Sequence, residues 1–364
     1  MPCDNIALIA AAGSGKTTYI VDEVTKNTTD KILLVTYTIA NSRKLKKDIE
    51  AKVGVVPSNI EIMTWHSFLL QHCIRPFRSV AYGRRIERID FETPIKNFKI
   101  PERNTDLFYF SCRNALYKDR ATKFALKCNT LSNNAVIERL ESIYSLIYID
   151  EVQDMAGEDL DLLALLYSSK SRIFAVGDIR QAIYYTCNAP KNKGNRGSKL
   201  LDYFRKLEKK GLLTVQFRDF SYRCKQSICD LSDSLFPNID EKTKSLNDKK
   251  CEHEGLYVVR TEDFDEYVRD YNPMVLRWSV SSKIPETTYP IEVRNIGLSK
   301  GATYDHVIII CTEAFKNFVK YGSIPTSEKT KSELYVAITR ARYSVAFVYD
   351  GMDYLDVFSL YETI

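Results

Sequence analysis

The stretch Ile6–Thr18, IALIAAAGSGKTT, decides the fold. Its apolar start, within a strand read over Asn5–Ala10, predicts buried extended chain, and Gly13 and Gly15 follow in a loop. Lys16 and Thr17 then open a helix. Glycine lets backbone N–H groups face a triphosphate, because no Cβ blocks the approach. Lys16 supplies a point charge to the β and γ phosphates, and the Thr17 hydroxyl suits Mg²⁺. The helix adds the positive end of its dipole. Ala10 stands where the pattern G-x-x-x-x-G-K-[ST] has glycine, and a small residue at a strand end serves there. The nucleotide cradle is therefore read as Ala12, Gly13, Ser14, Gly15, Lys16, Thr17 and Thr18.

A second acidic signal supports this reading. In SLIYIDEVQD, Ser145–Asp154, an apolar strand ends in two adjacent acids. At the carboxyl edge of a sheet, Asp150 can hold the metal's water shell while Glu151 orients and deprotonates an attacking water. The competing reading makes Glu151 and Asp154 acids that cap the following helix. Beside Lys16 and Thr17, the pair points to a nucleoside-triphosphate hydrolase.

Outward from these motifs, short apolar strands alternate with longer polar stretches, the pattern of parallel α/β units. Besides the first, strands are expected at Lys31–Thr36, Leu146–Ile149, Ile173–Val176, Gly255–Val259, Met274–Arg277, Asp305–Cys311 and Ser344–Tyr349. Between His72 and Ser145 the alternation is lost; Arg103–Asn129 reads as helical, so an accessory, mainly helical insertion is expected there. Lys191–Lys199, KNKGNRGSK, reads as a mobile loop.

Composition bounds the rest. The 364 residues are 45% apolar and 27% charged, enough for two or three packed units and against wholesale disorder. Lys and Arg number 52 against 47 acids, a net charge of +5 that permits a polyanionic partner. Nine cysteines without a C-x-x-C pair, among four histidines, argue against a disulfide framework or a zinc site. No apolar run approaches ~18 residues, and no Lys or Arg precedes Ile6–Ala12, so no membrane partner and a cytoplasmic location are expected.

In order along the chain, the motifs resemble those of the UvrD-like, superfamily 1A helicases. AAAGSGKTT resembles motif I, VTYTIANSRKLKKDI (Val35–Ile49) motif Ia, MTWHSFLLQ (Met63–Gln71) Ib and YIDEVQDM II. VGDIRQAIYY (Val176–Tyr185) resembles III, SYRC (Ser221–Cys224) IV, GLSKGATYD (Gly297–Asp305) V and LYVAITRAR (Leu334–Arg342) VI. The resemblance implies two RecA-like domains, 1–71 with 145–205 and 206–364, with the accessory insertion at 72–144. It implies ATP and Mg²⁺ between the domains, and single-stranded or partly duplex DNA across them as the track, followed 3′ to 5′.

Carried over by position, Gln181 senses the γ-phosphate, Arg223 and Arg340 act as arginine fingers, and Gly301 joins the nucleotide site. A guanidinium fork suits the charge of a transferring phosphoryl group. Three departures are visible. An adenine-reading Gln ahead of the phosphate loop is not expected, Thr186 stands where the family has a base-stacking Trp, and Gly297 and Thr303 replace the usual motif V His and Glu. The span Lys225–Ile296 is too short for the family's large second accessory subdomain. An alternative function is an ATP-switched binding subunit that works with a separate nuclease, or with a replication or repair partner, in a defence or mobile-element system.

Tyr37 and Thr38, and Trp65 and His66, fall where relatives meet the nucleic acid, and Tyr184 or Tyr185 is the expected stacking substitute for the absent Trp. Stacking on an aromatic face is sequence-tolerant, as a translocating motor needs. For Trp65 a core anchor is the equal alternative, and His66 has the same ambiguity. Arg75, Arg78, Arg84, Arg85 and Arg88, interleaved with Phe77 and Tyr82, read either as a phosphate track or as an ion-paired surface.

Overall fold

A computed structural model describes residues 4–362 apart from Lys96, Phe98 and Ala189. The chain divides into two compact units. The first holds residues up to Ile9, Lys16–Ile179 and Tyr184–Gln216; the second holds Ala10–Gly15, Arg180–Ile183 and Phe217 onward.

The first unit contains strands β1 (Ile6–Ala10), β2 (Ile32–Thr36), β3 (Ile60–Thr64), β4 (Arg88–Asp90), β5 (Phe110–Cys112), β6 (Ala115–Tyr117), β7 (Leu146–Asp150) and β8 (Arg172–Gly177), and β9 (Thr214–Arg218) runs out of it. Six form one sheet in the order β3-β2-β7-β8-β1-β9. The pairs β1/β8, β7/β8, β2/β7 and β2/β3 are all parallel. Ile32–Val35 and Ile147–Ile149 are almost wholly buried. That explains their unbroken apolar runs, since a parallel sheet covered on both faces leaves no polar side.

The second unit has a small parallel pair, β10 (Phe220–Ser221) and β11 (Lys244–Ser245). Its main sheet comprises β12 (Gly255–Val259), β13 (Met274–Arg277), β14 (Val293–Asn295), β15 (Tyr304–Ile310), β16 (Ala341–Val348) and β17 (Ser359–Leu360), in the order β14-β13-β15-β16-β12-β17. Every pair in it is parallel. The expected α/β class with two RecA-like parallel sheets is thus what the chain forms.

The insertion holds more helix than strand, as expected, and adds a three-stranded mixed sheet of β4, β6 and β5, β4/β6 parallel and β5/β6 antiparallel. One expected helix needs correction. Arg103–Asn129 is broken into the helices Thr105–Tyr109 and Ala121–Leu131 around a hairpin. These strands have three residues each, too short for any alternating pattern to register. The segment Lys191–Lys199 is a connection with local structure. It carries two single turns of 3₁₀ helix, with Asn192 donating to the Gly157 carbonyl (2.8 Å) and Lys191 paired with Asp161 (3.0 Å).

Among the described residues, no helix is long and apolar enough to cross a membrane.

Candidate nucleotide and nucleic-acid site

Strand register brings the hydrolytic residues of the sequence to one edge of the first sheet. Leu8 and Asp150 both lie opposite Val176, so β1, β8 and β7 end together at their carboxyl side. Lys16, Thr17 and Thr18 begin the helix Lys16–Lys26 that follows β1. Asp150 is the buried last residue of β7. Ligands of open α/β sheets collect at this edge.

The phosphate loop has the shape its glycines require. Gly13 and Gly15 both adopt φ +75, where a side chain is strained. Ala10, in the place of the first pattern glycine, is fully buried. Within the second unit's contacts, Ala11 N donates to Arg218 O (3.0 Å), Arg218 Nε donates to Ser14 O (2.7 Å) and Tyr222 N donates to Gly13 O (3.0 Å). A Cβ on Gly13 would lie 2.6 Å from both Arg223 Cβ and Ser221 Oγ. Ser14 Oγ is buried with no hydrogen-bond partner among the described residues. An orphaned hydroxyl in a glycine cradle fits an oxygen-rich anion, and the donor set of Thr17 hydroxyl and Asp150 carboxylate suits Mg²⁺, which prefers few protein oxygens alongside phosphate.

Glu151 stands in the left-handed region at φ +57, a conformation that costs a non-glycine residue energy and recurs at functional sites. Its amide donates to Asp150 Oδ1 (2.9 Å), and its carboxylate accepts from Gln153 Nε2. Gln153, 1% exposed, also accepts from the Asp178 amide through Oε1 (3.1 Å). One side chain therefore ties the Glu151 carboxylate to the chain leaving β8. Gly177 is glycine for this reason: a Cβ there would sit 2.1 Å from Gln153 Oε1. Sequence reading missed Gln153, although it lies in the quoted motif II.

Gln181, Arg223 and Arg340 fall in the second unit. Gln181 ends a single 3₁₀ turn, Ile179–Gln181, and is buried. Beside it, buried Arg180 pairs with Asp233 (2.8 Å) and donates to Thr243 Oγ1 (3.3 Å). Arg223 Nη1 donates to Thr339 O (3.0 Å). Arg340 is 1% exposed, its guanidinium donating to Val336 O (3.0 Å), Ala302 O (3.1 Å) and Thr339 Oγ1 (3.3 Å). These acceptors fix the guanidinium in place. Gly301 is exposed at φ +87, a turn position that needs glycine for its backbone rather than for packing.

The nucleic-acid expectations divide. Trp65 is a correction: it is 2% exposed, its indole N–H donates to Asp159 Oδ1 (2.9 Å), and it cannot meet a base. Asp159, itself buried, also accepts from Thr122 and Thr186. This carboxylate joins motif Ib, the insertion and motif III, and burial, the largest influence, pushes its pKa up despite those donors. Thr186, at the family's stacking position, is thereby turned inward.

Tyr37 and His66 are neighbours, ring centroids 6.0 Å apart. Tyr37 donates to Tyr185 O (3.2 Å), and burial raises its phenol to about 12, so it remains a neutral donor. His66 is buried; desolvation first and nearby Lys118 second lower its pKa to about 3. Thr38 is exposed and caps the helix Ile39–Val53 by accepting from Asn41 N (3.1 Å). Tyr184 is 45% exposed, and Arg196 lies over the Tyr185 ring at 5.0 Å. The arginine cluster is largely spent locally. Arg75 donates to the Ile86 and Glu87 carbonyls, Arg78 to Arg75 O, and Arg84 and Arg85 pair with Asp106 and Glu87.

Comparison with known proteins agrees with these motifs. The family described as AAA domain matches residues 1–186. Gabija protein GajB of Bacillus cereus (strain VD045) is 29% identical over 263 residues, 69% of this chain and 50% of its own length. The chain thus spans about half the length of the curated relative it matches. Among solved structures, PRRSV helicase is similar at 15% identity and TM-score 0.45, covering 95% of this chain and 52% of that one. Arterivirus nonstructural protein 10, a helicase solved in complex with DNA, is similar at 15% identity and TM-score 0.45, covering 97% and 62%. With the family match across 1–186 and the ordered motifs running on to Arg342, this chain belongs to the AAA domain family, in its UvrD-like superfamily 1 helicase branch.

Proposed function

We propose that the chain is a DNA-dependent ATPase that translocates 3′ to 5′ on single-stranded DNA, with strand separation on partly duplex DNA. The observation that carries this reading is the edge where Asp150 and the start of the Lys16–Lys26 helix come together, with Glu151 held by Gln153. Lys16 and the amides of the Gly13–Thr18 segment hold the phosphates, and Thr17 and Asp150 hold Mg²⁺. When bound, Mg²⁺ supplies charge neutralisation at the β and γ phosphates. Glu151 takes a proton from the attacking water, with Gln153 keeping its carboxylate aimed. Gln181 reports the γ-phosphate, and Arg223 and Arg340 offset charge on the transferring group. Tyr37, Thr38, Tyr184 and Tyr185 contact the strand. The test is Mg²⁺-dependent ATP hydrolysis with and without single-stranded DNA, GTP serving as control. Lys16→Ala abolishes turnover; Glu151→Gln abolishes it while nucleotide binding persists. An unstimulated or absent ATPase would sink the proposal.

A second reading, an ATP-switched DNA-binding subunit working with a separate nuclease or another partner, is favoured by the inward-turned Thr186, which removes the family's stacking contact. Displacement of streptavidin from end-labelled strands separates the two: directional displacement supports the motor, and nucleotide-dependent DNA retention without displacement supports the switch.

A further inference from the structure

With Trp65 in the core and Thr186 facing Asp159, two positions that sequence reading links to base stacking face inward. The surface nearby carries an aromatic that the motifs do not include. Phe91 is 61% exposed immediately after β4 of the insertion. Its display is built. Asp90 accepts from the Glu92 and Thr93 amides (3.0 and 3.1 Å) on one oxygen and from Ser111 Oγ (2.5 Å) on the other, pinning the turn from β5.

Phe91 also belongs to a continuous ridge of the first unit. It meets His66 edge-on with centroids 4.8 Å apart, and His66 adjoins Tyr37, which is bonded to Tyr185 under Arg196. Exposed Ile39 (63%) and Tyr184 (45%) lie within motifs Ia and III, whose residues Tyr37 and Tyr185 belong to the ridge. Cations accompany it: Lys118 acts electrostatically on His66, Arg196 covers Tyr185, and Arg88 is exposed on β4. Aromatic faces with flanking cations are complementary to unpaired bases and their phosphates.

We propose that Phe91 is a base-stacking residue for single-stranded DNA, held by Asp90 and Ser111 and backed by His66. The assignment rests on the DNA-tracking function proposed above. His66 contributes as an uncharged ring that supports Phe91 without itself contacting the strand.

The test measures binding of the full chain, with a non-hydrolysable ATP analogue, to fluorescein-labelled (dT)20 and to an abasic strand of equal length. Phe91→Ala weakens (dT)20 binding about 5- to 150-fold, the range of one base–aromatic stack. Phe91→Trp retains wild-type affinity, and Phe91→Ala leaves abasic-strand binding unchanged. Equal (dT)20 affinity for wild type and Phe91→Ala overturns the stacking role while leaving the function standing. Equal losses on both strands overturn it too, since they reveal a phosphate or structural effect. If the wild type binds neither strand, the function itself fails, and Phe91 with it.

Discussion

At the residue scale, Trp65 and Gln153 show how one hydrogen bond assigns a role. Replacing Trp65 with Phe keeps a ring beside Phe68 but removes the donor to the Asp159 carboxylate. A buried polar group that loses such a donor costs about 1–3 kcal/mol. Urea unfolding of Trp65→Phe therefore shows that loss, while its affinity for single-stranded DNA stays at the wild-type value; a selective loss of affinity would restore Trp65 to the interface. Gln153→Ala removes the Nε2 donor to the Glu151 carboxylate and the Oε1 acceptor of the Asp178 amide. Misplacing a reacting group by about 1 Å costs on the order of 100-fold. We expect kcat for ATP to fall by about that factor with KM little changed, and a KM effect alone would argue against an aiming role.

At the element scale, the loop between β1 and the helix Lys16–Lys26 depends on having no side chain at Gly13. An alanine there meets two obstacles: the left-handed backbone, worth about 1–2 kcal/mol, and a Cβ 2.6 Å from Arg223 Cβ. Gly13→Ala is expected to erase the rise in thermal midpoint that ATP gives the wild type, because ligand stabilisation vanishes when binding does. An undiminished shift would mean the loop is not the cradle. The insertion teaches a different lesson. Its three short strands were illegible because their order comes from partners distant in sequence: Arg88 lies opposite Ala115, and Asp90 is fastened by Ser111.

Across the whole molecule, all four histidines have lowered pKa values, each with burial as the largest cause. His66 falls to about 3 and His253 to about 4. A depressed folded value means that the unfolded chain takes up protons near its ordinary pKa of about 6.5 while the folded chain does not. This contribution to stability is present above about pH 6.5 and is lost as pH falls toward the folded values. The raised pKa values of Asp159, Asp263 and Glu333 act in the opposite sense, three groups against four. Urea midpoints should therefore fall between pH 7.5 and 5.5, with the His66 and His253 ring resonances failing to titrate in that window. Because His66 and His72 belong to the first unit and His253 and His306 to the second, both units weaken. A flat midpoint, or rings that titrate near 6.5, would contradict this.

The sequence by itself determined the α/β class and the phosphate-loop motif. Buried parallel strands are written as continuous apolar runs, and the glycine-lysine-threonine loop is local chemistry that needs no distant partner. It missed β3 and β9 because Ile60–Thr64 and Thr214–Arg218 keep polar residues on a partly exposed face. Only the tertiary structure decided which aromatic side chains face solvent. Trp65 in motif Ib and Phe91 in the insertion are both large apolar residues, and nothing local separates them. Asp159 draws one inward and the Asp90 turn presents the other, because burial is a property of what packs against a side chain, not of the side chain alone.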